Sequence, residues 1–375
     1  MKKKIKYAEF PDMNTVKDIV IFGGKKGADK PQYTFYNFDG EVEMKTFAQV
    51  NYDLTGLGQY LYKLGLRGKK VAILSENSYY WIACYFSIIT GKITAVPMDP
   101  KLPDDDIIDI MIRSGCNAIY YSEDFKDTVE KMKKTDGVVI EQYIKIEDFY
   151  SMVEEGHNEV KNGVESYLED EVLPSDLAFL VYTSGTTGKS KGVMLSQENV
   201  AADSVASCRV MTGGPAIGFL PLHHAFSWVG ALFSGNLLTE WGFICRSLKD
   251  IQKDMNTYHP QNFSAVPLAV ETIYKKIWFT AKKSGREEML KKGLKISNFL
   301  LKLGIDKRRK IFSEILNNLG GNLEMIVCGG AYLDEQYEKG MEAFGIKIIN
   351  GYGITECSPA VTCNRLDAYK VGSVG

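Results

Sequence analysis

The sequence predicts an α/β protein in which mixed and largely parallel sheets are flanked by helices in two subdomains. Three observations support this prediction: short apolar segments with the length of buried strands, longer segments with helical patterns, and the alternation of the two kinds along the chain. Strands that alternate with helices pair in parallel and are covered on both faces. Sheets of this class bind ligands in the loops at the carboxyl ends of their strands.

The first alternating units lie in the N-terminal third of the chain. Short buried strands are predicted at residues 68–75, 93–96 and 118–121. Glu76-Asn77-Ser78 predicts the start of an apolar helix that ends at Gly91. Pro103 and the three aspartates after it predict a second helix, because negative charge in a first turn complements the helix dipole.

An acidic, polar stretch from Glu154 to Pro174 separates these units from the next strand, Leu177 to Tyr182. We interpret the stretch as a connection between subdomains. The predicted division is therefore an N-terminal α/β subdomain over residues 1–170 and a second α/β subdomain over residues 171–375.

Composition and charge exclude several classes of function. The 375 residues include 45 Lys and Arg against 47 Asp and Glu, so the net charge of −2 predicts no nucleic-acid partner. Seven scattered cysteines without a Cys-x-x-Cys pair are typical of a reducing compartment. The start of the chain has no secretory pattern, and the longest apolar run, near Trp81 to Ile89, is about half of what a membrane span needs. A cytoplasmic location is expected.

Residues 182–193, Tyr-Thr-Ser-Gly-Thr-Thr-Gly-Lys-Ser-Lys-Gly-Val, have the chemistry of an anion-binding loop. Glycines let the backbone approach a phosphate, hydroxyls donate hydrogen bonds to it, and lysines supply charge. The candidate residues are Thr183, Ser184, Gly185, Thr186, Thr187, Gly188, Lys189 and Lys191. An ordinary polar turn is the alternative.

The loop differs from the P-loop of nucleoside triphosphatases. Thr183 stands where that motif requires its first glycine, and Val193-Met194-Leu195 predicts a second strand instead of a helix. A hairpin that binds phosphate is therefore predicted.

The loop resembles the signature of the adenylate-forming superfamily, and three further segments resemble that family's motifs in the same order. They are Pro221-Leu222-His223-His224, Gly329-Gly330-Ala331 and Gly351-Tyr352-Gly353-Ile354-Thr355-Glu356. The resemblance covers nearly the whole chain and is greatest to bacterial long-chain fatty acid–CoA ligases. It implies the large N-terminal domain of that fold, and it implies that ATP and a carboxylic acid react to acyl-AMP and pyrophosphate, with Mg²⁺ and then CoA as the acceptor.

The resemblance also implies roles for single residues. Glu356 matches the family's metal ligand, and Thr355 matches a donor to the α-phosphate; a solvated loop acid is the alternative for Glu356. Tyr352 matches the ring that stacks on adenine, with Asn350, Gly351, Gly353 and the turn Gly329, Gly330 and Ala331 around the base. Lys189 and the loop hydroxyls would contact the β- and γ-phosphates. His224 matches a residue beside the acyl carboxylate, although a structural histidine is the alternative.

Fewer residues indicate which carboxylic acid is the substrate. No acidic side chain stands between Ala225 and Gly230 to pair with an amino group, which argues against amino-acid substrates. Trp228 matches a residue that lines the acyl path in the long-chain branch, with an ordinary core tryptophan as the alternative. A helix pattern after Val266-Pro267-Leu268 and an insertion rich in Lys and Leu, residues 282–319, also resemble that branch.

Several alternatives stay open on the sequence alone. The insertion is typical of a solvated helix pair, with a membrane surface or a subunit neighbour in a homodimer as other partners. A carrier-protein thiol could replace CoA, and a nonenzymatic nucleotide-binding module is the alternative to a ligase. The chain stops at Gly375, before the family's Thr-Gly-Asp element and its small C-terminal lid domain, so the resemblance predicts a partial ATP site with little or no turnover.

Overall fold

The computed structural model describes residues 7–183, 190–245 and 250–375, and in these ranges two sheets carry the fold. The strands are β1 Pro31–Tyr36, β2 Val42–Thr46, β3 Lys70–Leu74, β4 Thr94–Pro97, β5 Ala118–Tyr121, β6 Gln142–Lys145, β7 Leu177–Thr183, β8 Lys191–Ser196, β9 Ala216–Gly218, β10 Gly242–Ile244, β11 Asn262–Ala265, β12 Met325–Cys328, β13 Lys347–Gly353 and β14 Ala360–Cys363.

Helices cover the sheets and connect their strands. They are α1 Val16–Gly27, α2 Phe47–Lys63, α3 Tyr79–Ile89, α4 Asp104–Ser114, α5 Lys126–Met132, α6 Phe149–Lys161, α7 Ser166–Glu169, α8 Gln197–Cys208, α9 Ala225–Ser227, α10 Ser234–Leu238, α11 Ile251–Tyr258, α12 Pro267–Lys283, α13 Glu287–Lys302, α14 Arg308–Ile311, α15 Ser313–Asn317 and α16 Glu335–Ala343. Short 3-10 turns occupy Glu123–Phe125, Ile146–Asp148 and Thr355–Cys357, and a π turn occupies Trp228–Phe233.

The six-stranded sheet has the order β6-β5-β3-β4-β7-β8. Its first five strands are parallel, and β8 runs antiparallel to β7. The eight-stranded sheet has the order β14-β13-β12-β11-β9-β10-β1-β2, and its two outermost pairs are antiparallel. The predicted α/β class with mixed and parallel sheets is confirmed.

The local predictions for the first units also agree with the structure. The Ser78 side chain accepts a hydrogen bond from the Trp81 amide and so caps α3, as the Glu76-Asn77-Ser78 pattern indicated. Helix α4 follows Pro103 and has three aspartates in its first turn. The predicted strands correspond to β3, β4 and β5 with small shifts of their ends.

The polar stretch from Glu154 to Pro174, which the sequence pattern predicts as a connection between subdomains, is partly helical. Its first part completes α6, which packs along α2, and its second part carries Tyr167 of α7, whose ring is buried. The alternation of glycine and apolar residues with charged ones marked a helix with one buried face, which the high acid content obscured.

The predicted boundary between residues 170 and 171 does not separate the two sheets. Strands β7 and β8 lie in the six-stranded sheet beside β4, whereas β1 and β2 lie in the eight-stranded sheet beside β10. The chain therefore crosses between the sheets more than once, and each sheet contains strands from both sides of residue 170.

Two glycines allow α2 and α6 to approach closely. A Cβ atom on Gly156 would overlap the carbonyl oxygen of Gly56, and a Cβ atom on Gly56 would lie 2.5 Å from the carbonyl oxygen of Val153. Backbone atoms cannot move aside as a flexible side chain can, so this contact admits no side chain on either glycine.

We expect the Gly156→Ala variant to lower the free energy of unfolding by about 1 to 3 kcal/mol, because the added methyl group forces the two helices apart. Urea denaturation followed by circular dichroism measures this change. The matched control is Gly235→Ala in α10, where no atom lies within 4 Å of the added Cβ. Equal stability of the Gly156→Ala variant and the parent chain would contradict the proposed close contact.

Candidate functional site

The predicted phosphate loop lies between β7 and β8, which form an antiparallel hairpin as expected. Thr183 and Lys191 are paired at the end of the hairpin. The six residues between Thr183 and Ser190, namely Ser184, Gly185, Thr186, Thr187, Gly188 and Lys189, lie outside the described residues. An antiparallel hairpin differs from the strand–loop–helix arrangement of a P-loop, as the sequence predicts.

Arg113 at the end of α4 supports the hairpin where β8 begins. Its guanidinium donates to the Ser190 carbonyl oxygen and hydroxyl, at 2.8 Å each, and its centre lies 5.0 Å from the Tyr182 ring centroid. Asp109 accepts a third hydrogen bond from Arg113 at 2.8 Å. A planar cation with several fixed donors therefore holds Ser190, just before β8, next to Tyr182 of β7.

The two glycine-rich motifs of the eight-stranded sheet lie side by side. Cys328 at the end of β12 pairs with Asn350 in β13, so the turn that begins at Gly329 lies next to Gly351. A Cβ on Gly329 would be 3.5 Å from the Gly351 carbonyl oxygen, and Gly330 has a φ of +85°. The carboxyl ends of two parallel strands therefore form one open shelf, with Gly330 and Ala331 exposed at its surface.

Two side chains on this shelf have properties of ligand-binding groups. Asn350 is 5% exposed, and its Oδ1 atom has no hydrogen-bond partner among the residues that the structure describes. Tyr352 is 51% exposed although its ring is large and mostly apolar. A buried acceptor without a partner beside an exposed aromatic ring suits the binding of a flat, polar molecule.

The turn Thr355–Cys357 brings the last motif to the hairpin. Its Cα atoms lie within 8 Å of those of β8. The Ala360 amide after the turn donates to Asp203 Oδ2 in α8 at 3.2 Å, and burial raises the pKa of Asp203 to about 6. Glu356 is exposed and makes no ion pair or hydrogen bond within the described ranges. A carboxylate without a partner in the described ranges thus faces solvent on a turn that contacts β8.

Asn77 fixes the segment that carries the two adjacent histidines. Its side-chain amide donates to the Leu220 carbonyl oxygen at 2.8 Å, and its Oδ1 accepts from the Leu222 amide at 2.9 Å. This pair of hydrogen bonds joins the loop before α3 to the loop that leads to α9. The backbone before His223 and His224 is therefore held on both sides of Pro221.

The two histidines differ in environment. His223 is buried, and desolvation together with the neighbouring His224 lowers its pKa to about 4, so that its 3.5 Å contact with Asp99 is not an ion pair at neutral pH. His224 is exposed, and partial desolvation lowers its pKa while Asp99 opposes the shift. A neutral, accessible imidazole at pH 7 is therefore available at His224.

Trp228 lies in the core and does not line the cleft described below. Its indole donates to the Leu222 carbonyl oxygen at 2.8 Å, and its ring stacks on Phe179 with centroids 4.5 Å apart. The ring fills the space between the histidine segment and β7, which agrees with the core alternative. A role of Trp228 on an acyl path stays a prediction.

A mostly apolar cleft opens between the eight-stranded sheet and the π turn. Its wall is formed by Leu222, Ser227, Gly230, Ala231, Phe219, Phe243 and Phe263, together with further residues of β9, β10 and β11. A Cβ on Gly230 would lie 2.8 Å from the Ser264 hydroxyl oxygen, so a side chain at this position would require Ser264 to rotate. The enclosed volume is about 50 Å³, which holds only a few water molecules.

Glu240 places a carboxyl group in the wall of this cleft. Burial raises its pKa to about 8, and a single hydrogen bond, from the Gly214 amide at 2.8 Å, partly opposes that shift. Glu240 is therefore largely protonated at neutral pH. A neutral carboxyl group keeps the cleft compatible with an apolar guest.

Sequence reasoning missed Asn77, Arg113, Asp203 and Glu240. The first three act on residues 77 to 157 positions away along the chain, and no local pattern marks such partners. Among the described residues no group of three His, Cys, Asp or Glu side chains forms a metal cluster. No helix in the described ranges combines the length and apolarity needed to cross a bilayer.

The sequence of this chain matches a known protein family and resembles several characterised proteins. A family model described as AMP-binding enzyme matches residues 24–375. Fatty acyl-CoA synthetase A of Dictyostelium discoideum is 24% identical over 372 residues, covering 90% of this chain and 54% of that protein. Long-chain-fatty-acid–CoA ligase 5 of Mus musculus is 26% identical over 364 residues, covering 88% and 53%.

A solved structure shows the same fold. The anthranilate CoA ligase AuaEII in complex with anthranoyl-AMP superposes with a TM-score of 0.75 at 19% identity, covering 98% of this chain and 64% of that one. The chain spans about half the length of the curated relatives that it matches.

We expect the free energy of unfolding of the parent chain to fall as pH rises from about 5 to about 8. The folded chain keeps a proton on Glu240 that the unfolded chain loses near its ordinary value, so the stabilisation is complete at low pH and is lost as pH rises through the folded pKa. The Glu240→Gln variant should lack this component, so its free energy of unfolding should rise by about 4 kcal/mol relative to that of the parent between pH 5 and pH 9. Urea denaturation across this pH range measures both slopes, and parallel slopes would contradict a protonated Glu240.

Proposed function

Because this chain belongs to the family of AMP-binding enzymes, we propose that it binds the nucleotide and the acid for an enzyme that converts a fatty carboxylic acid to acyl-AMP with release of pyrophosphate. One observation carries the proposal. The turn with Thr355 and Glu356, which follows the β12–β13 shelf, has Cα atoms within 8 Å of those of β8, the second strand of the hairpin whose loop is predicted to bind phosphate. A nucleotide with its base on the shelf would have its phosphates directed at the hairpin.

The shelf fits an adenine base. An adenine ring presents an exocyclic amino group that can donate to Asn350 Oδ1, which otherwise lacks a partner in the described part of the chain. The exposed Tyr352 ring offers a stacking face, and the glycines of the shelf let the base approach the backbone. Burial of Asn350 without a ligand leaves an unsatisfied acceptor, so binding of a donor there is favourable.

Glu356 fits a magnesium ligand. Mg²⁺ in nucleotide sites is held by one or two carboxylates together with phosphate oxygens and water, and Glu356 is an exposed carboxylate without a protein partner in the described ranges. When bound, the ion would supply positive charge to neutralise the phosphates. Thr355 in the same turn and Lys191 at the start of β8 would donate to phosphate oxygens and orient them.

The acid would enter the cleft beside the histidine segment. A carboxylate attacks the α-phosphorus, its oxygen forms the new P–O bond, and the bond from that phosphorus to the oxygen that bridges it to the β-phosphorus breaks to release pyrophosphate. His224 would orient the attacking carboxylate, and Asn77 would position the backbone that carries His224. Preorganised hydrogen-bond donors would stabilise the negative charge that builds up on the phosphate oxygens during this step.

The apolar wall supports a fatty acid as the substrate, and the names of the relatives point the same way. The enclosed 50 Å³ is too small for a long acyl chain, so such a chain would enter only if side chains of the π turn moved. Transfer of the acyl group to CoA is proposed from the relatives' names alone, and it concerns the whole protein.

The proposal is tested by calorimetric titration of the chain with acyl-sulfamoyl adenosines, which mimic acyl-AMP and cannot be hydrolysed. We expect affinity to rise from the acetyl to the dodecanoyl mimic, because each buried methylene contributes about 0.8 kcal/mol. Tyr352→Ala should weaken binding by about 1 to 3 kcal/mol through lost stacking. Tyr150→Ala, whose ring is similarly exposed but lies elsewhere, should not.

Two results would contradict separate parts of the proposal. Equal affinity for the acetyl and dodecanoyl mimics would remove the fatty-acid preference. Absence of binding by every mimic and by ATP would remove the nucleotide site from this chain.

If Glu356 binds Mg²⁺, the effect of Glu356→Gln on ATP affinity should differ between a solution with Mg²⁺ and a solution with EDTA. With Mg²⁺ we expect ATP to bind about tenfold more weakly to the variant, the size of one lost charged contact. With EDTA the variant should bind ATP at least as well as the parent, because removal of a carboxylate reduces repulsion of the phosphates. Glu171→Gln, an exposed acid outside the site, is the control, and an equal effect of Glu356→Gln in both conditions would argue against metal binding.

A further inference from the structure

Helix α13 exposes a row of large apolar side chains. Met289, Ile296, Phe299 and Leu303 are 60%, 57%, 62% and 59% exposed. Their spacing of seven, three and four residues places them along one side of the helix. Phe279 at the end of α12 and Ile305 after α13 are also exposed. Such a row is uncommon on a free surface, because large apolar side chains gain from being covered.

The exposed row is not the side by which α13 packs on the protein. The inward side is centred on Ser297, which is buried, with Leu290, Leu294 and Leu301 half-buried beside it. At about 100° per residue the exposed row is centred roughly 115° away from Ser297. The helix therefore has two apolar sides, one packed and one open.

A row of lysines borders the open apolar row. Lys291, Lys295 and Lys302 follow the next strip around the helix, and Lys292 lies within the apolar row itself. The segment 279–310 contains eleven Lys and Arg against three acids, a net charge of +8, whereas the remaining residues carry −10. Positive charge is thus concentrated on this one helical segment of an otherwise acidic chain.

The lysines and arginines of the segment play different parts. Arg286 pairs with Glu314, Arg308 pairs with Asp306, and Arg309 donates to the carbonyl oxygens of Leu323 and Gly321. Of the eight lysines only Lys291 makes an ion pair, and the other seven make none in residues 250–375. The charge that remains available is carried by flexible ammonium groups.

From this juxtaposition we propose that the open side of α13, with the lysines beside it, binds the surface of a bilayer that contains anionic lipids. Apolar side chains beside lysines on one helix are the pattern by which helices lie in the headgroup region. A protein partner fits less well, because the centres of protein interfaces are depleted in lysine and enriched in arginine, and here the arginines are already engaged. The inference is independent of the nucleotide site and of the acid.

The test is co-sedimentation of the chain with vesicles of phosphatidylcholine alone and of phosphatidylcholine with 30% phosphatidylglycerol. We expect binding to the anionic vesicles, weaker at 0.5 M than at 0.1 M NaCl, and little binding to the neutral ones. Lys292→Gln with Lys295→Gln should lower the partition coefficient about 25-fold, since each lysine near such a surface contributes about fivefold. Ile296→Gln with Phe299→Gln should lower it about tenfold or more through lost apolar burial.

Matched controls separate this surface from general charge and apolarity. Lys25→Gln with Lys134→Gln removes the same charge elsewhere, and Val139→Gln removes an exposed apolar side chain elsewhere; both should bind as the parent does. All substituted positions are exposed, and circular dichroism melts confirm that the variants are folded. The proposal is overturned if the parent binds neither vesicle, if it binds both equally, or if the controls lose as much binding as the α13 variants. A dimer that dissociates on Ile296→Gln with Phe299→Gln, while the parent does not bind vesicles, would assign the surface to self-association instead.

Discussion

Helix α3 is buried over its entire length, and the relation between the two sheets depends on this burial. All eleven of its residues are buried, and its core neighbours come from both β1 of one sheet and β3 of the other. A helix that is apolar on every side cannot lie at a surface, so a layer of structure must cover each face. Burial also favours a partner for each polar group of the helix. The Tyr79 hydroxyl donates to Asp53 at 2.5 Å, and Lys45 lies 3.2 Å from the same carboxylate.

The position of α3 also explains where the candidate site lies. The loop before α3 carries Asn77, which holds the backbone next to the histidines, and that backbone continues into α9 and the cleft wall. The hairpin of β7 and β8 belongs to the six-stranded sheet, whereas the shelf of β12 and β13 belongs to the eight-stranded sheet. The site therefore depends on two sheets that α3 holds in a fixed relation. The hydrogen bond between Asp203 and the Ala360 amide joins them again on the side of the Thr355–Cys357 turn.

Local features of the site follow from the sequence, whereas its long-range contacts do not. The cap at Ser78, the helix after Pro103 and the hairpin around the phosphate loop arise from neighbouring residues, and their patterns predicted them. The contact of Asn77 with Leu220 and that of Arg113 with Ser190 join distant segments whose side chains are unremarkable in their own surroundings. The packing of Trp228 on Phe179 is likewise a long-range contact that the motif around His224 did not reveal.

The buried polar atoms without partners in the described residues include core hydroxyls and a strand-end amide oxygen, and the two have different consequences. The hydroxyls of Tyr85 and Tyr120 lie in the core around α3 and β5, where no ligand can reach them. Each lowers stability by about 1 to 3 kcal/mol, a cost that burial of the aromatic ring offsets. Asn350 Oδ1 lies at a strand end instead, next to the exposed Gly330 and Ala331.

An acceptor in that position costs the free chain the same amount, but a bound donor recovers it. The destabilisation by an unsatisfied hydroxyl in the core is permanent, whereas the destabilisation by Asn350 Oδ1 is relieved when a ligand donates a hydrogen bond to it. A molecule that places a hydrogen-bond donor at this strand end, and a flat ring over the glycines beside it, gains affinity without any new packing in the core. This asymmetry between strand end and core is the physical reason that the shelf, and not the interior around α3, forms the candidate nucleotide site.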